Sequence, residues 1–360
     1  MKIAIITCYF DPDYVRARTL RAALKNMPGV KMIVLKNKNK GVLRYPEMLW
    51  KILRLRFREK PDVYLLTFRG QEILQWVLWV AGKKPVIFDE FIIPILSATN
   101  ENHAKTFVKR VHRSLAKASV PLYKYWLRKC RFILADTPQH AELSARTSDM
   151  NIRKYVSLPV GADETLFKPA TNPKKSQDVF EVFYYGNMLP HQGLDIMLEA
   201  VELLKDHEDI TFRFVGGKKT MQQRIRRAMA NGARIEYEKW MPFQDLPAAM
   251  HRASLCLGGH FGDSQQAQHT IPGKVYQMLA CQEPVVVGAS IATQDYFIDQ
   301  QNSLVVQQGN AQGIVNTILW AKEHPKELDT VAEKGRKLYE KEFSTVAIAR
   351  RLQPVVDALS

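Results

Sequence analysis

The sequence has few cysteines, and they do not stand at spacings that would pair them or bind a metal ion. Four cysteines occur in 360 residues, and they lie far apart, at Cys8, Cys130, Cys256 and Cys281. No CxxC pair occurs, and no histidine lies near a cysteine at zinc-ligand spacing, so neither a disulfide framework nor a structural metal is predicted. We therefore expect a reducing, cytoplasmic setting and no bound metal.

Long hydrophobic runs are also missing. The longest apolar stretch covers about ten residues around Ile73 to Ala81, whereas roughly 20 are needed to cross a bilayer. The apolar start, Met1 to Phe10, contains a single lysine and stops at Asp11-Pro12, which favours a buried first strand over an export signal. We expect neither a membrane span nor export by that route.

Two glycine-rich nucleotide loops are absent as well. There is no G-x-G-x-x-G and no Walker A lysine loop, which argues against a dinucleotide-binding dehydrogenase and a P-loop ATPase. The composition, 46% hydrophobic and 24% charged with 18 Gly and 18 Pro, excludes a disordered, collagen-like or coiled-coil chain. A globular protein of about two domains is the remaining expectation.

Positive charge is present in excess, and it is unevenly distributed. Residues 1–170 hold 31 of the 52 Lys and Arg residues but only 14 of the 36 Asp and Glu residues, so their net charge is +17, whereas the remainder is close to neutral. This asymmetry indicates that the first half faces an anion, such as phosphates, a nucleic acid or the inner leaflet of a membrane.

Short β-branched runs alternate with segments of helical periodicity along the whole chain, which is typical of a parallel sheet. The polar run over residues 171–176 is predicted to be a linker between two such series. We predict two tandem Rossmann-like α/β domains with doubly wound parallel sheets, and a ligand site beyond the carboxyl ends of the strands in the cleft between the domains. The predicted strands are Lys2–Thr7, Val30–Leu35, Val63–Thr67, Pro85–Phe88, Phe132–Ala135, Tyr155–Leu158, Phe180–Tyr185, Thr211–Val215, Ile235–Tyr237, Ser254–Leu257, Pro284–Val287 and Ser303–Val306.

Two strand-to-helix loops carry candidate anion contacts. Arg16 and Arg18 lie just inside the helix that follows the first strand, so they can reach an anionic group there or be solvated surface charges. In the loop from Gly186 to Gly193, the first glycine allows close approach of a ligand to the backbone, and the following helix start offers N–H donors. An ordinary strand-to-helix turn would have much the same sequence.

The richest stretch runs from Cys256 to Val287. Pro272 stands where a helix would begin, and Lys274 lies beside its free N–H donors, an arrangement suited to a diphosphate. Gln277, one turn later, can hold a sugar or ribose hydroxyl, although an ordinary polar helix face would also place a glutamine there.

Several segments of the sequence resemble the retaining GT4-like glycosyltransferases of the GT-B fold, a group that includes bacterial enzymes of surface-glycan assembly. The resemblance implies a metal-independent transferase with a nucleotide diphosphate sugar as donor and a glycan or lipid-linked acceptor. It implies an acceptor-side domain over residues 1–170, a donor-binding domain over 177–345, and a C-terminal helix over 346–360 that packs back on the first domain. The segments that carry this resemblance are Tyr155–Pro169, Gly193–Ala200, Ile271–Ala280 and Gly335–Tyr339.

The same resemblance implies roles for individual residues. Arg16 and Arg18 would assist the phosphates, and Asp89 would place the acceptor hydroxyl or accept its proton, although Glu90 is an alternative and a helix-capping role for Asp89 is common. The implied donor contacts are Gly186, Asn187, His191, Phe261, Gly262, His269, Lys274, Gln277 and Asp295.

The chain departs from the family in its donor residues. The family has an arginine and a lysine around the loop that here runs from Gly186 to Gly193, and His191 is the only basic candidate in this loop. The two family glutamates correspond to His269 and Gln277, and Asp295 is the best match to a third acidic position. A charge-assisted bond is about twice as strong as a neutral one, so a catalytically impaired sugar-nucleotide-binding homologue is an open alternative.

Two basic segments predict contact with a membrane. Tyr45–Arg58, and Phe107–Lys117 extended by Leu122–Lys129, combine aromatic and aliphatic residues with a basic face, as interfacial helices do. The alternative is that their apolar faces pack on the sheet and their charges are solvated. We expect a peripheral protein on the inner face of the plasma membrane, active in polysaccharide biosynthesis.

Two further functions fit the sequence less well. A nucleic-acid-binding protein would use the basic half, but the chain has no recognisable reading module and its basic residues are spread over several helices. No nucleic-acid partner is therefore expected. A sugar-nucleotide epimerase of the same fold matches the segments that resemble glycosyltransferases less well.

Overall fold

A computed structural model describes residues 1–25, 27–99, 107–171 and 179–359, with side chains for all of these except residues 97–99 and 107–116. The predicted linker over 171–176 lies outside the described residues except for its first position. The chain divides into two compact units, the first formed by Met1–Val160 and Thr345–Ser360 and the second by Gly161–Ser344.

The described residues form alternating strands and helices. The strands are β1 (Lys2–Thr7), β2 (Lys31–Lys36), β3 (Val63–Leu66), β4 (Val86–Asp89), β5 (Phe132–Ala135), β6 (Tyr155–Ser157), β7 (Phe180–Gly186), β8 (Ile210–Gly216), β9 (Ile235–Glu238), β10 (Leu255–Gly259), β11 (Val285–Ala289) and β12 (Leu304–Gln307). The α-helices are α1 (Val15–Lys25), α2 (Arg44–Arg58), α3 (Leu74–Ala81), α4 (Pro94–Thr99), α5 (Phe107–Lys129), α6 (Pro138–Ser148), α7 (Leu194–Leu203), α8 (Lys219–Ala230), α9 (Leu246–Arg252), α10 (Gln265–His269), α11 (Gly273–Ala280), α12 (Ala311–Glu323), α13 (Pro325–Leu338) and α14 (Thr345–Asp357).

Each unit contains one six-stranded sheet in which all strands are parallel. The first sheet has the order β2-β1-β3-β4-β5-β6 and the second β12-β11-β10-β7-β8-β9. A strand is found at each of the predicted positions, because buried parallel strands are short apolar runs that local sequence shows well. The prediction of two doubly wound parallel sheets is confirmed.

Both faces of the first sheet are covered. Ile3 and Ile5 of β1 pack with side chains of α1 and α14 on one face, and Ala4 and Ile6 pack with α2 and α3 on the other. Since successive side chains of a strand point to opposite faces, this alternation explains why β1 is apolar at nearly every position. The C-terminal helix α14 thus completes the core of the first unit.

The second unit begins earlier than the sequence predicts, because residues 161–170 contact it. The backbone N–H of Ala162 donates a hydrogen bond to the Tyr339 hydroxyl at 3.2 Å, and that hydroxyl donates to Glu164 at 3.0 Å. Phe167 is buried, and its ring centre lies 5.2 Å from that of Phe243. These contacts join residues far apart in sequence, which composition alone does not reveal.

The strand order fixes where a ligand is expected in each unit. The order reverses between β1 and β3 in the first sheet and between β7 and β10 in the second. In open α/β sheets, ligands bind beyond the carboxyl ends of the strands at such a reversal. The loops after these four strands are therefore the places to look for function. No described helix is both long enough and apolar enough to span a membrane.

Candidate active site

Lys274, the second residue of α11, has a buried ammonium group. The residue is 7% exposed, and its Nζ atom has no hydrogen-bond partner among the described residues. Nζ lies 3.8 Å from the centre of the Tyr184 ring, and a Cβ added at Gly186 would lie 3.0 Å from it. Burial lowers the pKa of Lys274 to about 7. A buried charge without a partner is unfavourable, and an anion is the group that would neutralise it.

The local sequence explains how this lysine is placed. Pro272 precedes the helix, and it provides no side-chain cap for the first turn of α11. The N–H of Val275 donates to the Pro272 carbonyl at 3.0 Å, and the N–H groups of Gly273 and Lys274 before it lie at the positive end of the helix dipole. Lys274 and the helix start can therefore act on the same anion.

Two histidines lie close enough to Lys274 for its charge to affect them. His191 is in a 3₁₀ turn, Pro190–Gln192, after β7, and His260 directly follows β10. Their ring centres are 4.7 Å apart at an interplanar angle of 78°. Burial and the nearby Lys274 charge lower the pKa of His191 to about 4, and burial, His191 and Lys274 lower that of His260 well below its usual value. Both rings are therefore neutral at pH 7.

The loops that carry these histidines are held together by their backbones. Gly193, which ends the first loop, has φ +74°, and a Cβ there would lie 2.6 Å from the Gly262 backbone nitrogen. The same N–H of Gly262 donates to the His191 carbonyl at 3.2 Å. A larger residue at position 193 would separate the loops, so glycine is needed for the two loops to meet across the β7/β10 reversal.

Gln277 is not part of an ordinary polar helix face. It is buried, and its Oε1 accepts a hydrogen bond from the Tyr185 hydroxyl. The hydroxyl of Tyr184 donates to Gln192 Oε1 at 2.9 Å. Polar groups of β7, the 3₁₀ turn and α11 thus surround Lys274.

The other predicted donor residues are placed differently. Asn187 is exposed at the end of β7, and Asp295 is exposed after β11. His269 ends α10, with Nδ1 2.8 Å from the Gln265 carbonyl oxygen. The Phe261 side chain is fully buried in the core of the unit, so its ring supports the loop instead of facing a ligand.

Sequence reasoning missed three contributors to this cluster. Tyr184 and Tyr185 stand at the end of a strand, directly before Gly186, and His260 follows the pair Gly258-Gly259. Their position after strands at a reversal of the order is the signal that could have identified them. Among the described residues, no group of three His, Cys, Asp or Glu side chains is placed to hold a metal ion.

In the first unit, Arg16 and Asp89 bind each other. Both are almost fully buried; Arg16 donates from Nε at 3.0 Å and from Nη2 at 2.9 Å to the Asp89 carboxylate. Nη1 donates to the carbonyls of Leu158 and Pro159 at 2.6 and 2.7 Å. Arg16 is therefore not a solvated surface charge, which was one of the two interpretations of its position in the sequence. Asp89 does not cap a helix. The pair joins α1, β4 and the segment after β6, which favours a positioning role.

Two neighbours of this pair are also engaged within the first unit. The Glu90 carboxylate accepts hydrogen bonds from Tyr123 and Ser144, and burial raises its pKa. Arg18 is half-buried, and its Nε donates to the Asp13 carbonyl. Glu90 thereby ties α5 and α6 to the end of β4.

Comparison with known proteins gives a family for part of the chain. Residues 180–324 match the family model of glycosyl transferases group 1. No curated protein matches the sequence.

Several solved structures share the fold over nearly the whole chain. Anabaena HepE in complex with UDP-glucose has a TM-score of 0.73 at 14% identity and covers 99% of this chain and 100% of its own. Sucrose-phosphate synthase from Thermosynechococcus elongatus has a TM-score of 0.74 at 16% identity, covering 100% and 99%. A glycosyltransferase from Rickettsia africae ESF-5 has a TM-score of 0.72 at 12% identity, covering 99% and 98%. The predicted GT-B fold is confirmed.

Removing Arg16 should destabilise the first unit. Arg16→Met leaves the Asp89 carboxylate buried without a counter-charge, and we expect the free energy of unfolding in urea to fall by about 3–5 kcal/mol. The double variant Arg16→Met/Asp89→Leu should recover most of this loss, and Arg146→Met, an exposed change, should have little effect. Equal stability of Arg16→Met and wild type would contradict the pairing.

Removing the Lys274 charge should have the opposite effect. With a pKa of about 7 when folded and 10.5 as its ordinary value, Lys274 binds more protons in the unfolded chain between these pH values. Wild-type stability should therefore rise from pH 7 to pH 10.5 by up to about 1.4 kcal/mol per pH unit. Lys274→Met should be more stable at pH 7 and lack this rise. Identical pH profiles in urea unfolding would show that the ammonium is not buried.

Proposed function

We propose that this chain, a GT-B glycosyltransferase with a glycosyl transferases group 1 domain over residues 180–324, transfers a sugar from a nucleotide diphosphate sugar. The observation that carries the proposal is the unneutralised ammonium of Lys274 at the β7/β10 reversal, beside the uncapped start of α11. The likeness to HepE, which is described in complex with UDP-glucose, supports the same class of donor.

The diphosphate has a natural place in this arrangement. Lys274 and the first N–H groups of α11 would bind its oxygens, and Gly186, which has no side chain and φ +148°, lets the phosphates approach the backbone. Fixed positive charge at the diphosphate stabilises the negative charge that develops as the leaving group departs. These groups can supply that charge without a divalent ion, so we propose a metal-independent reaction.

Uncharged side chains would bind the ribose and sugar hydroxyls of the donor. Gln277 and Tyr185 already share a hydrogen bond, and their remaining donors and acceptors suit a ribose or sugar hydroxyl. Asn187, His269 and Asp295 remain proposed donor contacts. In keeping with the family resemblance, we propose retention, with the donor's own phosphate accepting the acceptor proton, so that no strong protein base is required.

The carboxyl end of the first sheet suits a carbohydrate acceptor. Tyr9 and Phe10 follow β1 and Phe68 follows β3, on the two sides of the strand-order reversal. Tyr14 stacks on Phe68 with ring centres 4.5 Å apart, and Tyr9 meets Phe68 edge-on at 4.9 Å. Phe68 is itself buried, whereas Phe10, whose ring centre lies 4.1 Å from that of Tyr9, is 54% exposed. An exposed aromatic ring offers a flat apolar face, which matches the C–H face of a pyranose. We propose a glycan, free or lipid-linked, as acceptor.

One helix of the first unit exposes apolar side chains to solvent. The buried side of α2 uses Met48, Ile52 and Leu55. Trp50 and Phe57 lie on the opposite side, 57% and 71% exposed. Packing on the sheet therefore explains only half of the amphipathic pattern, and Trp50 and Phe57 remain without protein contacts that bury them.

Positive charge accompanies these exposed rings. Arg54 lies over the Trp50 ring at 5.2 Å, and Arg56 and Arg58 are exposed on the same helix. The neighbouring helices α3 and α5 expose Trp79, Leu122 and Tyr125. Aromatic and basic side chains together are typical of surfaces that bind anionic lipid. We propose peripheral attachment to the inner face of the plasma membrane, and a role in polysaccharide biosynthesis.

Donor binding is the direct test of the proposed function. Calorimetric titration with UDP-glucose, GDP-mannose and ADP-glucose should find a ligand, and Lys274→Met should weaken its binding by about 10–100-fold, as expected for a hydrogen bond to a charged group. Lys334→Met, an exposed change on α13, should bind as wild type does. If none of the three binds, or if Lys274→Met binds unchanged, the proposed site is wrong. Release of free nucleotide with a glycan acceptor then separates an active enzyme from an impaired homologue.

Membrane attachment is tested by flotation with phosphatidylcholine vesicles, with and without phosphatidylglycerol. Wild type should float only with the anionic vesicles, and replacing Arg54, Arg56 and Arg58 by Glu, or Trp50 and Phe57 by Ser, should release it, since each nearby basic residue contributes about 1 kcal/mol. Trp240→Ser removes a ring that is 73% exposed in the second unit and should change nothing. Flotation of both α2 variants, or preference for duplex DNA over the vesicles, would refute this surface.

A further inference from the structure

The candidate donor site contains three basic side chains, and within the part of the chain that the structure describes no acid forms an ion pair with them. Burial alone lowers the pKa of Lys274. The charges that lower the pKa values of His191 and His260, beyond burial, are those of Lys274 and, for His260, of His191. Nδ1 of His260 is buried and has no hydrogen-bond partner among the described residues, and its Nε2 lies 3.5 Å from the Thr270 hydroxyl. Three groups that can each bind a proton are thus packed into one desolvated space.

The surroundings of the cluster offer no compensation. Strand β7 contributes the rings of Tyr184 and Tyr185, and α11 contributes Gln277. The helix α10 ends in another imidazole, His269, and the exposed start of α8 carries Lys218 and Lys219. The acid nearest in sequence to His260, Asp263, is exposed and is not among the charges that act on the three groups. In the free protein, burial and mutual repulsion therefore keep the histidines neutral.

We propose that His191 and His260 join Lys274 in binding the diphosphate, and that they take up protons from solvent as it binds. This inference rests on the proposed function of the same site. The loop from Gly186 to Gly193 contains no arginine or lysine, and imidazolium groups formed only in the complex supply the charge that it lacks. His191 and His260 are then contacts of the leaving group that bear a positive charge when it is present and none when it is absent.

The electrostatic reason is a change in the sign of the local potential. In a nucleotide diphosphate sugar each phosphorus has one ester bond and one anhydride bond, so each phosphate carries one negative charge that does not titrate near neutral pH. An opposite charge within about 4–6 Å favours the protonated form of a base, and the ligand brings two such charges into a space that held only positive ones. By linkage, a ligand that raises proton binding must itself bind more tightly at lower pH.

Calorimetry in pairs of buffers that differ in ionisation enthalpy measures the protons taken up. The titrant is UDP-glucose or, if that does not bind, GDP-mannose or ADP-glucose, which present the same diphosphate. At pH 8 Lys274 is largely neutral in the free protein and contributes up to one proton. At pH 6 it is already charged, so uptake there comes from the histidines. We expect uptake at both pH values and affinity that falls from pH 6 to pH 8.

Variants assign the protons to residues. Each single variant, His191→Asn or His260→Asn, should lose its own share of the uptake and bind about tenfold more weakly at pH 6. The double variant should lose all uptake at pH 6 and keep only the Lys274 share at pH 8. His207→Asn is the matched control and should behave as wild type, because His207 lies in the turn between α7 and β8, at the amino end of the strand and away from the candidate site. Circular dichroism checks that the variants are folded, and the wild-type measurement alone tests the proposal if they are not.

The possible failures are distinguishable. If a titrant binds and its heat at pH 6 is the same in both buffers, the histidines stay neutral and the inference is overturned while the proposed function stands. Uptake at pH 6 that survives in the double variant His191→Asn/His260→Asn also overturns it. If no nucleotide sugar binds at all, the proposed function fails, and this inference fails with it.

Discussion

The ammonium group of Lys274, which is buried against the Tyr184 ring with no hydrogen-bond partner among the described residues, is the constraint on which the proposed donor site depends. Such a charge is unfavourable in the free protein, and only well-packed surroundings maintain it. The backbones of the loops after β7 and β10 meet at Gly193 and Gly262, which closes the space around the lysine. Stability is thus given up at the place where we propose that the diphosphate binds, as is common at functional sites.

The first unit treats a buried cation in the opposite way. Arg16 lies at the corresponding edge of its sheet, but Asp89 and two backbone carbonyls use its donors. That pair is a structural element, whereas Lys274 is available to a ligand. Basic residues of the first half lie instead on outer helix surfaces such as that of α2, beside exposed Trp50 and Phe57, where we propose that anionic lipid is their partner.

Much of the fold and part of the site could be predicted locally. The strands were found because each buried parallel strand is a short apolar run. Gly186 was found because it ends a strand before a loop, and Lys274 and Gln277 because they lie in the first turns of a helix that Pro272 precedes. His260 and Tyr184 were missed because neither residue type is unusual in its own segment. The pairing of Arg16 with Asp89, 73 residues apart, and the attachment of residues 161–170 to the second unit likewise leave no local pattern.

The sequence by itself determined the two parallel sheets, the concentration of positive charge in the first half, and the identity of the basic residues near strand ends. Only the tertiary structure decided which of those residues are neutralised and which are not. The physical reason is that burial and pairing depend on neighbours brought together by the strand order. Two basic residues that each stand second in a helix, Arg16 and Lys274, can therefore end as part of a buried ion pair in one case and as an unpaired buried charge in the other.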